Sequence, residues 1–253
     1  MREGPVRVEP RKGWLQLVMN RGANALDLPL VQALRTTLAE VMDDGAPPVV
    51  IASAHPRLFC PGWDLKVLST AARDEVDQFL RHFNALVLEL FSYPSPTVAA
   101  IGGHAIAGGC SLAVACDIRV MVAGTARLGM SEVNLGVPVP AQCVSLLRAR
   151  LAPHVVDELA LAGDAFTAER AVEVGLVQRA VVRSRLQATV DEEMAALAGK
   201  PREAWVASKR FRYRAVWQEM AAAGEQEDSA FVECWFLPDT QQRLRACVAN
   251  LGG

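Results

Sequence analysis

The chain has 253 residues, 51% of them apolar, with 26 basic against 28 acidic residues and a formal charge of −2. That much apolar sequence can bury a sizeable core, as one larger domain or a domain with a small appendage, and argues against a largely disordered protein. The near balance of charge gives no electrostatic reason to expect nucleic acid or an anionic membrane as partner, and no run approaches the roughly twenty apolar residues of a membrane span.

From the amino terminus, Val6–Glu9 and Trp14–Val18 alternate apolar with other residues around Arg11-Lys12-Gly13, which predicts a β-hairpin. Leu30, Val31, Leu34, Leu38 and Val41 then recur at helical spacing behind Asp27, a suitable cap, so the opening unit is β-β-α. Pro47-Pro48 precedes a buried strand at Val49–Ala52, and a helical stripe runs from Val76 to Leu90. Pro94-Ser95-Pro96 stops that helix before a strand at Thr97–Ile101, a helix beginning close to Gly108, and another strand at Ile118–Val122. After Pro138 and Pro140 the chain is mainly helical, with candidates at Ala141–Arg150, Val155–Ala162, Ala168–Val174, Arg185–Ala198, Arg202–Ala223, Ser229–Trp235 and Asp239–Val248. The recurring strand, loop, helix and strand predict an α/β core.

The six cysteines lack CxxC spacing and nearby histidines, so they read as small apolar residues of a reduced protein, and no metal is expected. Met1–Pro5 carries no apolar secretory stretch, which makes a soluble, cytoplasmic protein the expectation.

Three segments following strands carry chemistry: Leu58-Phe59-Cys60-Pro61-Gly62-Trp63-Asp64-Leu65, Ala107-Gly108-Gly109-Cys110, and Gly129-Met130-Ser131-Glu132-Val133-Asn134-Leu135-Gly136. A helix starting near Gly108 leaves its first amides free to bind an oxygen anion, assisted by the helix dipole. Glu132 is the carboxylate placed to move a proton. Seen alone, Glu132 reads first as a solvated loop charge, Gly108-Gly109 also reads as a tight strand-to-helix turn, and the Trp63 side chain also reads as a packing residue.

Taken in order, these segments resemble the crotonase superfamily, which includes enoyl-CoA hydratases and isomerases. The resemblance extends from Asn24-Ala25-Leu26 through Leu161–Ala168 to Gly175-Leu176-Val177. It implies a crotonase-like spiral of repeated β-β-α units over residues 1–195, with a helical C-terminal section at 196–253 involved in trimer packing. It also implies an acyl-CoA substrate, no prosthetic group, and a homotrimer or hexamer. The backbone amides of Trp63 and Gly108 match the family's oxyanion hole, and Glu132 matches its proton-transfer position. CoA binding is expected around Arg21, Ala23, Ala25, Trp63, Asp64, Leu65 and Lys66, with the Lys209-Arg210-Phe211-Arg212 cluster as a further candidate for its phosphates. Asp64 and Asp117 are expected to fix loops, and pocket walls are expected from the segment around Val67–Asp77 and the helical tail.

Ser111 is the informative departure. Efficient hydratases of this family commonly carry a second glutamate there, and a hydroxyl is a poor general base near neutrality. The chain therefore looks most like the Δ3,Δ2-enoyl-CoA isomerases. Another one-glutamate enzyme of the family (a hydratase, decarboxylase or hydrolase) and a noncatalytic acyl-CoA-binding protein stand as alternatives. Gly22, where the family commonly has proline, implies a local difference in the loop before Ala23.

Overall fold

The computed structural model describes residues 4–222 and 225–251. Its chain winds as a spiral that opens with two strands of a long sheet, after which each of the next three turns adds one strand to the long sheet and one to a short sheet. The first turn is the hairpin β1 (Val6–Arg11) and β2 (Trp14–Met19) followed by α1 (Leu28–Asp43). The second is β3 (Val49–Ser53), β4 (Leu58–Cys60), α2 (Leu65–Leu68) and α3 (Arg73–Phe91). The third is β5 (Thr97–Ile101), β6 (His104–Ile106) and α4 (Gly108–Ala115), and the fourth is β7 (Ile118–Val122), β8 (Leu128–Gly129) and a 3-10 turn at Glu132–Leu135. Then follow α5 (Ala141–Arg150), α6 (Pro153–Ala160), β9 (Ala165–Phe166), α7 (Ala168–Glu173), β10 (Arg179–Val181), α8 (Leu186–Ala198), α9 (Arg202–Ala222), α10 (Glu225–Trp235) and α11 (Pro238–Asn250).

The long sheet runs β1-β2-β3-β5-β7-β10, parallel after the opening antiparallel hairpin. Strand side chains alternate between faces, so each strand feeds two cores. Leu17, Met19, Val49, Ile51, Ala99, Ile101 and Met121 enter the main core with α1, α3 and α4, while Val18, Val50, Ala52, Val98, Ala100 and Val120 face Val190 and Met194 of α8. Both faces are covered, as a parallel sheet requires, which explains the nearly continuous apolar runs of β3 and β5.

Asp27 caps α1 by accepting from the Leu30 N–H at 2.9 Å, and the predicted stripe Leu30, Val31, Leu34, Leu38 and Val41 is buried. Each such side chain contributes about 2 kcal/mol on burial, most of it offset by the entropy of ordering the chain. The expected division at residue 195 falls inside α8, which packs on β5 and β7. No helix among the described residues is long and apolar enough to cross a membrane.

The C-terminal helices are fastened to the core by a buried charge network. Asp117 Oδ2 accepts from the Thr97 N–H and hydroxyl, both at 3.0 Å, and from Lys209 Nζ at 2.9 Å; Lys209 also donates to the Tyr93 carbonyl at 2.9 Å. Arg150 approaches the same carboxylate at 3.4 Å, with its guanidinium 5.0 Å from the Phe91 ring centre and 4.7 Å from that of Tyr213. Burial pulls the Lys209 ammonium below the ordinary lysine range, and Asp117 works against that fall. Lys209 thus holds α9 to the core and is not a phosphate ligand, which corrects its place in the expected cluster. Asp117 fixes the loop, as expected.

Candidate active site

Four short strands that the sequence pattern did not reveal build the site. They form the sheet β4-β6-β8-β9, with β4, β6 and β8 parallel; Leu58 pairs with His104, and Ile106 with Gly129. Parallel neighbours end side by side. The residues just beyond the carboxyl ends of β4, β6 and β8 are Gly62-Trp63, Ala107-Gly108 and Ser131-Glu132, so three segments distant in sequence converge at one sheet end. Such strand ends are where open α/β sheets characteristically bind ligands.

Backbone geometry turns the first two segments outward. Gly62 has φ +100°, and Ala107, the N-cap of α4, has φ 52° and ψ −121°, a region that L-residues seldom occupy and that costs on the order of 1–3 kcal/mol. These two residues touch: a Cβ placed on Gly62 would lie 3.0 Å from Ala107 Cβ and 3.6 Å from the Gly108 nitrogen. An isolated parallel bridge joins Trp63 to Leu26 through the Leu26 N–H to Gly62 carbonyl and the Asp64 N–H to Leu26 carbonyl bonds, at 2.8 and 2.9 Å. A parallel bridge of this kind leaves the Trp63 N–H directed away from Leu26. Neither the Trp63 nor the Gly108 N–H has an acceptor among the described residues. The next glycine has a different task, since a Cβ at Gly109 would collide with the Cys60 carbonyl; its absence lets α4 approach β4.

Glu132 opens the 3-10 turn, which Gly136 closes at φ +83°. Its carboxylate accepts from the Ser131 N–H at 2.8 Å. The residue is half-buried because one side opens into the cavity, yet protein surrounds the carboxyl closely. Burial pushes it up to about 7, against the pull of backbone hydrogen bonds from Glu132 and Ser131.

The cavity holds about 770 Å³ and is lined mainly by apolar groups. Arg21, Ala23, Ala25, Trp63, Asp64, Leu65, Lys66 and Glu132 all contribute to its wall, so the structure gathers these sequence-derived candidates; Gly108 lies directly behind Trp63 and beside Ala107, which lines it. Of its carboxylates, Asp27 is paired with Arg21 at 2.5 Å and caps α1, while Asp64 caps α2 by accepting from the Lys66 N–H at 3.0 Å. Glu132 is the remaining carboxylate. Ser111 is fully buried, with its hydroxyl 3.5 Å from the Ala107 carbonyl and in hydrogen-bonding contact with the Cys143 thiol, and does not line the cavity. His104 begins β6 and does not line the cavity either.

Of the two expected sources of the wall, the helical tail contributes and the segment around Val67–Asp77 does not. The tail supplies Phe231 and Trp235 of α10 and Cys247 of α11, with Leu251 just beyond. Thr240 of α11 is buried and donates its hydroxyl to the Gly136 carbonyl at 3.1 Å, tying the C-terminal helix to the turn that carries Glu132. No local sequence signal marks Thr240, because its partner lies 104 residues away.

Two unpartnered amides at one strand-end cluster, beside a largely apolar cavity that holds a carboxyl raised by burial, are equipped to stabilise an oxygen anion and to move a proton. The pattern of the enoyl-CoA hydratase/isomerase family matches residues 10–243, and the chain belongs to that family, a branch of the crotonase superfamily. Among its relatives, the bovine mitochondrial enoyl-CoA hydratase domain-containing protein 2 is 34% identical over 178 residues, covering 69% of this chain and 60% of that protein. The matched stretch thus spans about three fifths of that relative's length. An enoyl-CoA hydratase structure from Mycobacterium ulcerans is 28% identical with a TM-score of 0.84, covering 90% of this chain and 100% of the other. The human mitochondrial Δ3,Δ2-enoyl-CoA isomerase superposes with a TM-score of 0.93 over 98% of both chains; at 23% identity it speaks for the fold.

Proposed function

We propose that this protein is an acyl-CoA enzyme that shifts the double bond of a 3-enoyl-CoA to the 2-position. The observation that carries this reading is the single uncommitted carboxylate, Glu132, sharing a cavity with Trp63 and lying in the same strand-end cluster as the free Trp63 and Gly108 amides. The amides polarise the thioester carbonyl. Glu132 takes a proton from C2, negative charge spreads from the carbonyl oxygen over a dienolate, and the same carboxyl returns the proton at C4. Proton and electrons balance with no further reactant. A carboxyl near 7 suits both halves of the cycle, because it is neither too weak a base nor too weak an acid.

Water addition asks for a second acid/base group at the position of Ser111, and the buried hydroxyl there offers none to the cavity. A hydratase reading has the names of several relatives in its favour. Arg21 and Lys66 stand on the cavity wall where they can meet the CoA phosphates, with backbone groups of Ala23, Ala25, Asp64 and Leu65 beside them. A homotrimer or hexamer is part of the proposal, supported by a second, apolar groove next to Leu161, which is 74% exposed. Sedimentation would test it. Incubation with 3-hexenoyl-CoA and, separately, 2-hexenoyl-CoA, following conjugation by absorbance and hydration by the added mass of one water, tests the reaction. Hydration of the 2-enoyl thioester without migration in the 3-enoyl thioester would overturn the isomerase assignment.

A further inference from the structure

The Trp63 side chain is not needed for the role of its amide, yet it occupies a defined place. Its indole lines the cavity and is surrounded by four rings: Phe79 and Phe83 of α3 at 4.8 and 5.6 Å between ring centres, and Phe231 and Trp235 of α10 at 5.2 and 5.6 Å. Aromatic pairs at these separations are in van der Waals contact. All four surrounding residues are buried, and Phe231 and Trp235 line the cavity beside the indole. The two helices behind the rings are also tied together by Asn84 Nδ2 donating to Asp228 Oδ1 at 3.0 Å. Gly108 is part of the arrangement, because a Cβ there would press on the indole at 3.0–3.1 Å.

We propose that Trp63, backed by these four rings, is the end wall of the acyl pocket and restricts the protein to short-chain acyl thioesters. This rests on the acyl-CoA reading above. A short acyl group fits beside the indole, whereas a longer tail meets the ring cluster and its distal methylenes stay in water, gaining no affinity. Replacing the indole by a methyl group opens space toward the α3–α10 seam, and each methylene newly buried there strengthens binding roughly fourfold.

The test is calorimetric binding of saturated hexanoyl-CoA and dodecanoyl-CoA, which undergo no isomerisation, to the wild-type protein and to Trp63→Ala. The wild type is expected to bind the two with similar affinity, and the variant to favour dodecanoyl-CoA by about tenfold or more, as burial of two methylenes alone would give. Phe231→Leu and Trp235→Leu, which loosen the wall from the α10 side, are expected to shift the ratio the same way by a smaller factor and serve if Trp63→Ala does not fold. A wild-type protein that binds dodecanoyl-CoA more than about tenfold tighter, or an unchanged ratio in every folded variant, overturns the end wall while leaving the acyl-CoA reading intact. Failure of every CoA thioester to bind overturns both. Binding with the expected ratios but without turnover of 3-hexenoyl-CoA leaves the wall standing and removes the isomerase.

Discussion

Replacing Glu132 by glutamine removes the proton carrier while keeping its shape, and it has opposite consequences for rate and stability. A carboxyl raised from 4.5 to about 7 means that the folded protein holds this proton more tightly than the unfolded chain does. Its contribution to stability is therefore fully present below about pH 4.5 and is lost as the pH rises through about 7. For a fully buried group that loss is about 3 kcal/mol; Glu132 is half-buried and faces a cavity, and solvent screening reduces it to about 1–2 kcal/mol. Glutamine does not ionise and escapes the loss. Thermal unfolding of Glu132→Gln is expected to match the wild type near pH 4.5 and to exceed it by about 2–4 °C at pH 8, given the unfolding entropy of a chain this size. Turnover of 3-hexenoyl-CoA by the same variant is expected to fall by on the order of a hundredfold to ten-thousandfold. In the wild type, kcat/KM is expected to rise with pH and level off above about 7. A variant whose melting advantage is the same at both pH values refutes the buried-carboxyl reasoning, and one that keeps its turnover refutes the role of Glu132.

The adjacent glycines separate chemistry from folding. Gly108→Ala asks Trp63 and Leu26 to yield by a few tenths of an ångström, so circular dichroism is expected to show a folded protein with turnover reduced about tenfold or more, whereas Gly109→Ala drives a methyl into the Cys60 backbone and is expected to lose soluble folded protein. Lys209→Met leaves Asp117 buried without its 2.9 Å ammonium partner and is expected to cost about 3–5 kcal/mol in urea unfolding. Thr240→Val removes the hydroxyl that the Gly136 carbonyl accepts, at about 1 kcal/mol, and Thr240→Ser is expected to restore most of it in the same unfolding measurement.

The long sheet and the helices were legible because each buries a face large enough to impose a period on the sequence. Thr97–Ile101, Ile118–Val122 and Ala141–Arg150 have the bounds that their patterns predict, and the α1 stripe is the buried one. The catalytic candidates were legible through motif resemblance and not through periodicity: nothing in the composition of Gly62-Trp63, Ala107-Gly108 or Ser131-Glu132 says that they meet. What joins them is a sheet whose strands β4, β6 and β8 are two or three residues long, too short for alternation to register. Lys209 was equally opaque, since a surface charge and a buried partner of Asp117 look identical in one dimension.

The sequence by itself determined the long-sheet strands, the helices and the α/β class, because those follow from local spacing, and its resemblance to a family singled out the candidates for an oxyanion hole and a proton carrier. Only the tertiary structure decided that Glu132 is crowded enough for burial to raise its carboxyl, that Ser111 is withdrawn from the cavity, and which residues of α10 and α11 stand in its walls. Desolvation, enclosure and contact depend on what distant segments bring to the same place, and a linear order of residues does not contain that distance.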